Sequence, residues 1–509
     1  MTKLCCRAAA WLAVLAAAAP AGAGGDYRTM RPWQSKTAED HLNLKFLADS
    51  RDWERLHVYV PKDANGGRLP CVVFFYGGGW GGKVCWGNDN NQVLLDHGYV
   101  VALPDYVLGA QQPVPMAVWD GAAAIRYLRA NAGKFRIDPA RICAVGLSAG
   151  GWLVQYLAVS DGGTQMAVRA RGEPAWFAPM VERHPANADF SPRVCAFVTD
   201  WGAGTLCEGQ RMAGPKAWLG PDDPPMFTCV CMPMTWLTPG VRTYREAGAV
   251  AEAAHVYTYG RDGKKSFREN TIDFGHCLVG VKVDNTRTDD PKTGAEITFG
   301  QRTLQFLDKC VKAPNTASAP EIVPCGGAVW KSQTAVLRTV HRGGRILYTL
   351  DGSIPTLGGL HTRTYDKPVP VQAGTTLRAI TAVSGMAMSG TATAVFTAAP
   401  CAAPVITTTR QEYKAKVGQP FSVALKATCA KGVTWRMCGK VEARALEKTD
   451  TNKDSSGIRR EGPWLTLDAD SGVLSGTPSR PGVSVLIVVA HVADAPLVND
   501  ARNVIVVAE

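Results

Sequence analysis

Short, nearly unbroken apolar runs separated by longer amphipathic stretches set the pattern between residue 55 and about residue 312. The runs are "CVVFFYG", "YVVALPDY", "RICAVG", "RVCAFVTDW", "PMFTCVCM" and "AHVYTYG". Runs that do not alternate imply strands buried on both faces, the condition met in a parallel sheet between two helix layers. Between them "MAVWDGAAAIRYLRANA" has helical spacing, and "EITFGQRTLQFLDKCVK" predicts a helix closing the region. The pattern predicts an α/β domain with a mostly parallel sheet. After the Pro/Ala/Ser/Thr stretch "KAPNTASAP" no long helix is evident, and strands such as "GQPFSVALKA" and "GVSVLIVVAHV" are divided by turn-rich segments such as "YTLDGSIPTLGG". Two small all-β sandwiches are expected there.

A chain of 509 residues exceeds what one core serves, which agrees with several domains. The expected divisions are an α/β domain at 24–312, a linker at 313–319, and β-sandwiches at 320–398 and 399–509. Residues 1–23 carry Lys3 and Arg7 ahead of an Ala/Leu/Val run that ends in Ala21-Gly22-Ala23, the pattern of a secretory signal cut after Ala23. The run falls short of the roughly 20 residues a bilayer span needs, so a secreted, periplasmic or cell-surface location is expected rather than a membrane anchor. Losing Lys3 and Arg7 lowers the formal charge of +11 by two. The remaining basic residues are scattered rather than clustered with aromatics, which argues against nucleic acid as a partner. Of the 15 cysteines, two lie in the leader, and the odd remainder leaves at least one thiol outside any intrachain pair. Cys429 and Cys438, flanking "AKGVTWRM", are the best local candidates for a disulfide. No spacing suggests a metal site, and no organic cofactor is implied.

The candidate chemistry is concentrated in Gly146-Leu147-Ser148-Ala149-Gly150. This G-x-S-x-G follows a buried strand and opens the helix "GGWLVQYLAV", so Ser148 would sit on a tight strand-to-helix turn with its hydroxyl exposed. The N–H of Ala149, at the helix start, would point to where an oxyanion forms. Upstream, Gly77-Gly78-Gly79 in "FFYGGGWGGK" allows the backbone to approach a ligand closely and donate further N–H groups.

The stretches "RLHVYVPKDANGGRLPCVVFFYGGGWGGK", "GYVVALPDYVLG" and "DGAAAIRYLRANAGKFRIDPARICAVGLSAGG" resemble the α/β-hydrolase esterases of the feruloyl esterase-like and hormone-sensitive-lipase-like group. The likeness is strong from residue 55 to about 160 and weaker to 312. It implies Ser148 as nucleophile and Gly78, Gly79 and Ala149 as the oxyanion hole. It departs from the group's pattern at Tyr76, where a histidine usually precedes the glycines. "DFGHCLVG" resembles the group's Gly-His turn and makes His276 the candidate base, ahead of His41, His57, His97, His184 and His255. Relatives carry the triad acid in the loop after the strand matching "PMFTCVCM", but here that loop, "PMTWLTPGV", holds no carboxylate. Asp200 at the end of the preceding strand is the favoured substitute, with Asp273 and Asp262 as alternatives.

"GGRILYTLDGSIPT" with "GTTLRAITA" resembles the C-terminal β-sandwich of chitobiases, and "WLTLDADSGVLSGTPSRPGVSVLIVVA" resembles immunoglobulin-like modules of bacterial surface proteins. Trp330, Trp435 and Trp464 are candidates for stacking on sugars. The resemblances together imply a secreted serine esterase acting on polysaccharide-linked acyl groups. The contrasting expectation, from the missing acid and from Tyr76, is a catalytically degenerate scaffold that binds polysaccharide or a cell surface.

Overall fold

The computed structural model describes residues 32–47, 55–62, 66–77, 89–106, 116–147, 149–159, 165–168, 176–179, 187, 189–200, 219, 223–230, 237–259, 265–266, 287–312, 316–408, 412–429, 431–444, 464–493 and 495–509. The leader at 1–23 lies outside them.

The first domain is built on an eight-stranded sheet. In chain order its strands are β1 (Ala38–Leu44), β2 (Leu56–Pro61), β3 (Leu69–Phe75), β4 (Val100–Pro104) and β5 (Ile137–Leu147). A hairpin of β6 (Gln165–Val168) and β7 (Trp176–Pro179) stands apart, and the sheet resumes with β8 (Phe197–Asp200), β9 (Met226–Val230) and β10 (Ala251–His255). The spatial order is β1-β2-β4-β3-β5-β8-β9-β10. The first two strands add antiparallel at one edge, and every pairing from β4 to β10 is parallel.

Successive residues Ile142, Cys143, Ala144 and Val145 of β5 are all fully buried, which requires cover on both faces of the sheet. Helices supply it. They are α1 (Asp89–Asp96), α2 (Met116–Ala130), α3 (Ala149–Val159), α4 (Leu237–Glu246) and α5 (Phe299–Leu307), the last continued by a π-turn at Asp308–Lys312. Helix α3 packs on β5 and β8 with α2 beside it. Phe299 and Phe306 of α5 stack on Phe227 of β9, with ring centroids 5.7 and 5.3 Å away.

The closing helix starts later than its apolar spacing predicts. Residues Glu296–Thr298 form a short strand, β14, paired with β13 (Arg287–Asp289), and only then does α5 begin. Thr298 decides the boundary. Its hydroxyl accepts from Gln301 N (3.0 Å), and the Gln301 side chain accepts from Thr298 N (2.8 Å), a capping box that satisfies two amide donors at the helix start. The run "AHVYTYG" is also displaced from the strand it signals. β10 is "AEAAH", an edge strand in which only Ala251 and Ala254 are buried, and the apolar Val256 and Tyr257 belong to the segment beyond it.

The later residues form two further cores, each enclosed by separate sheets. In the first, a five-stranded sheet, including Arg345–Thr349, Thr376–Ala382 and Ala392–Ala398, faces a three-stranded one around Leu337, Val371, Leu377 and Phe396. In the second, a four-stranded sheet led by Gly482–Val492 and Ala495–Ala508 faces the three-stranded Phe421–Ala424, Val473–Gly476 and Leu465–Leu467. Their shared core holds Trp435, Leu474, Leu486 and Val506. Strands in both modules are mostly antiparallel, and their alternating burial shows that each sheet turns one face to its core.

Both modules are docked on the α/β domain. Arg193 Nη1 donates to Pro320 O (2.8 Å), and fully buried Glu321 approaches Arg338 Nη1 at 3.7 Å. Arg129, buried on α2, donates to the carbonyls of Ser191, Arg193 and Pro139. Burial lowers the Arg126 guanidinium from its ordinary range and Glu321 works against that shift, so the carboxylate answers charge across the junction. The last module docks with apolar side chains, Val489 and Ile505 being buried within the core of the α/β domain. Thr316, Ala317 and Ala319, in the expected linker, pack against the first module, where Ala317 N donates to Ala387 O (2.9 Å).

The expected Cys429–Cys438 disulfide is not formed. Cys429 is a free thiol packed with Cys401, Ala399 and Val492. Cys438 is paired instead with Ile487, five residues along the strand from Val492. That is roughly 16 Å at strand spacing, far beyond the Cα separation a disulfide bridges.

Candidate active site

The turn expected to carry the nucleophile is framed from both sides. β5 ends at Leu147 and α3 begins at Ala149, so one residue, Ser148, converts strand to helix. Ser148 itself lies outside the described residues. Its flanking glycines show why the turn can be so tight. A Cβ on Gly146 would lie 2.2 Å from Gly150 O and 2.7 Å from Val154 Cγ2. A Cβ on Gly150 would lie 2.2 Å from Phe75 O and 2.5 Å from Tyr76 O. The first turn of α3 therefore rests directly on the backbone of the neighbouring strand end. Ala149 is buried at that helix start, where amide N–H groups lack intrahelical acceptors and the dipole favours negative charge.

The glycine loop leaves β3 beside this turn. Tyr76 and Gly77 are buried, and Gly78 and Gly79 lie outside the described residues. Tyr76, the departure from the expected histidine, is stacked on Tyr106 with centroids 4.4 Å apart and planes at 16°. Tyr106 Oη donates to Tyr76 O at 2.7 Å. Burial, and then the neighbouring Asp105 carboxylate, push the Tyr106 phenol well above its ordinary range, so it remains a donor.

Asp200 closes β8 in register with Leu147, the residue before Ser148. The structure thus brings the favoured acid to the strand end next to the nucleophile turn, at the carboxyl edge of the sheet where such sites gather. Thr199, one residue earlier, donates through Oγ1 to Gly151 O (3.3 Å) and accepts from Gln155 Nε2 (3.4 Å), which ties β8 to the start of α3. Asp223, by contrast, precedes β9 at the opposite end of the sheet.

His276 and the alternative acids Asp262 and Asp273 lie outside the described residues, but the stems of their segment are placed. Beyond β10, Tyr257 exchanges backbone hydrogen bonds with Arg287 (2.9 and 2.8 Å). The strands β11 (Thr258–Tyr259) and β12 (Lys265–Ser266) form a hairpin, and the chain returns at β13. Tyr257 Oη lies 2.8 Å from Asp289 Oδ1 and 3.0 Å from Glu296 Oε2, and Lys265 Nζ lies 4.0 Å from the Tyr257 ring centroid and 3.6 Å from Asp289. The described stems on either side of that segment lie at the end of β10, three strands from β5 in the sheet order.

Rival histidines separate by position. His57 accepts from Asn43 N (3.0 Å), and His41 lies on β1; both belong to the far edge of the sheet. His97 is held against Val93 O at the end of α1. His255 ends β10 at the same edge as the site and is exposed, and His184 lies outside the described residues. Among the described residues, Cys71, Cys143 and Cys195 are poor alternative nucleophiles. Burial raises the Cys71 and Cys143 thiols, and pushes Cys195 up to about 12. Among the described residues no group of three or more His, Cys, Asp or Glu is placed to hold a metal ion, and no helix is long and apolar enough to cross a membrane. Of the three tryptophans singled out, Trp435 is core, Trp464 donates to Ser484 Oγ (3.2 Å), and Trp330 is exposed.

Tyr106, Thr199 and Gln155 are contributors that motif spacing does not reveal. Their roles arise from contacts between strand ends far apart in the chain, and only the apolar run around Tyr106 hints at its burial.

Residues 56–179 match the family model BD-FAE, and residues 324–393 match the chitobiase/β-hexosaminidase C-terminal domain. The carboxylesterase NlhH of Mycobacterium tuberculosis is 34% identical over 115 residues, 21% of this chain and 33% of the relative. The isoprenylcysteine α-carbonyl methylesterase ICME of Arabidopsis thaliana is 36% identical over 97 residues, 19% of this chain and 22% of the relative. The chain thus spans about a third or less of the length of these curated relatives. A solved structure, a truncated carbohydrate esterase from gut microbiota, aligns at 20% identity with a TM-score of 0.37, covering 44% of this chain and 89% of its own. The first domain has the α/β-hydrolase fold and resembles the BD-FAE esterases, and the module that follows it resembles the chitobiase/β-hexosaminidase C-terminal domain.

Proposed function

We propose that the chain is an exported serine esterase that removes acyl groups, feruloyl or acetyl, from polysaccharide. The observation that carries this reading is the junction of β5 and α3, where Gly146 and Gly150 admit no side chain and Ala149 presents a helix-start amide beside the glycine loop. In the mechanism, His276 takes the Ser148 proton as Oγ attacks the ester carbonyl. The N–H groups of Gly78, Gly79 and Ala149 donate hydrogen bonds to the developing oxyanion, and each such donor contributes about 10²- to 10³-fold to turnover. Collapse expels the alcohol with the proton from His276, and water then releases the acid by the same steps. Asp200 orients the imidazole. The chitobiase-type match supports a carbohydrate setting, and the leader-like residues 1–23 support export.

The purified chain should hydrolyse short p-nitrophenyl esters and be labelled by a fluorophosphonate, with both properties lost in Ser148→Ala. The second reading, a scaffold that binds polysaccharide without turnover, is favoured by the absence of a carboxylate from the loop after β9. It predicts polysaccharide retention with neither hydrolysis nor labelling.

A further inference from the structure

We propose that Tyr76 and Tyr106 form a positioning pair for ester hydrolysis, fixing where the chain leaves β3 at Gly77 relative to the helix start at Ala149. This rests on the esterase reading above and assigns the pair a role within it. An oxyanion hole assembled from two elements works only if their amides stay in register, because donors must meet the developing oxyanion at about 2.7–3.1 Å.

One carbonyl joins the two elements. A Cβ on Gly150 would lie 2.2 Å from Phe75 O and 2.5 Å from Tyr76 O, so the first turn of α3 rests against both carbonyls, Tyr76 O among them. The same Tyr76 O accepts the 2.7 Å hydrogen bond from Tyr106 Oη. The rings stack face to face, with Tyr76 fully buried and Tyr106 nearly so. In return Tyr76 Oη reaches the Tyr106 backbone, donating to its carbonyl at 3.4 Å and lying 3.5 Å from its N–H. These are long contacts and secondary to the first.

Tyr106 is itself anchored. Asp105 N donates to Arg55 O (2.8 Å), and Asp105 Oδ2 accepts from Arg55 N (3.1 Å), which holds the end of β4 to the start of β2. The pair therefore relays the rigid end of β4 to the exit of β3, and through Gly150 to the nucleophile turn. A histidine at position 76 would be too short to stack across the same span while reaching the Tyr106 backbone. The exchange of residue at the head of the glycine loop thus comes with its own support.

The test compares Tyr106→Phe, Tyr76→Leu and Tyr76→Phe with wild type, using p-nitrophenyl acetate turnover, fluorophosphonate inactivation rate and thermal unfolding. Tyr106→Phe removes the 2.7 Å bond and keeps the stacked ring. It is expected to lower kcat roughly 10- to 100-fold, the scale set by misplacement of reacting groups, with KM within about threefold and inactivation slowed in parallel. Tyr76→Leu should behave similarly, and Tyr76→Phe, which restores the stack, should recover most of that loss. Wild-type kcat in Tyr106→Phe would overturn the proposal, as would a loss matched by an equal loss of folded protein. A wild-type chain with neither turnover nor labelling would instead overturn the esterase reading, and the pair's role with it.

Discussion

The two sides of the candidate site are built by different physics. On the nucleophile side, backbone rests on backbone: Gly146 and Gly150 have no room for a methyl group, and Tyr76 O is shared by a helix start and a phenol. On the base side, the segment carrying His276 departs from an edge strand and is tied at its stems by side chains, namely Tyr257, Lys265, Asp289, Glu296 and Arg287. Close-packed backbone has almost no compliance, whereas solvent-accessible ion pairs such as Lys265–Asp289 and Arg287–Glu296 yield at little energetic cost. The described frame around Gly146, Gly150 and Tyr76 is thus set by backbone packing, and the stems at Tyr257 and Arg287 by side-chain ties.

That contrast can be broken most sharply by asking which imidazole is delivered. His276→Ala should reduce kcat by about 10⁴-fold, the scale of losing a triad member, while His255→Ala at the exposed end of β10 should stay within about threefold in the same ester assay. The reverse result would move the base to β10. Asp200→Asn should cost up to about 10⁴-fold in kcat, with Asp262→Asn and Asp273→Asn close to wild type; a larger loss at Asp273 would place the acid in the segment beyond β10.

Mechanical changes should separate the halves next. Gly150→Ala forces a methyl group into carbonyl oxygens and should cost about 3 kcal/mol or more of stability, together with about 100-fold in turnover. Thermal unfolding and kcat would be read on the same preparation. Tyr257→Phe, which removes the hydroxyl between Asp289 and Glu296, should cost only about threefold in kcat and less than 1 kcal/mol. Equal sensitivity at the two positions would erase the distinction.

The smallest effect concerns acid. Burial alone would raise the Glu252 carboxyl on β10, but hydrogen bonds from Lys309 and Arg302 outweigh it and hold the group below its ordinary range. A depressed folded value means that the stabilisation is complete above the unfolded pKa of about 4.3. It is lost as pH falls through the lower folded value. Melting temperatures of wild type and Glu252→Gln should therefore differ at pH 7 and converge toward pH 3.

Much of this architecture is legible in the chain because burial on both faces leaves an unmistakable mark. The runs "CVVFFYG", "YVVALPDY" and "RICAVG" fall on β3, β4 and β5, and the G-x-S-x-G motif falls where β5 meets α3. Edges are harder. β1, "AEDHLNL", and β10, "AEAAH", each carry half-exposed positions, so neither stands out as a strand. The docking of the modules is also invisible, because Arg129 and Glu321 are charged residues that ordinarily mark a solvated face and here are buried at a junction. At the site, residue type announces Ser148 and the glycines, but the Tyr76–Tyr106 pair joins positions 30 residues apart whose meeting only the sheet order creates.

The central claim is that Ser148 is a working nucleophile, and covalent labelling tests it most directly. Wild-type protein treated with a fluorophosphonate should gain the mass of one phosphonyl group, located by peptide mapping on the segment containing Ser148, and Ser148→Ala should gain none. Unmodified wild-type protein, or equal labelling of Ser148→Ala, would contradict the account.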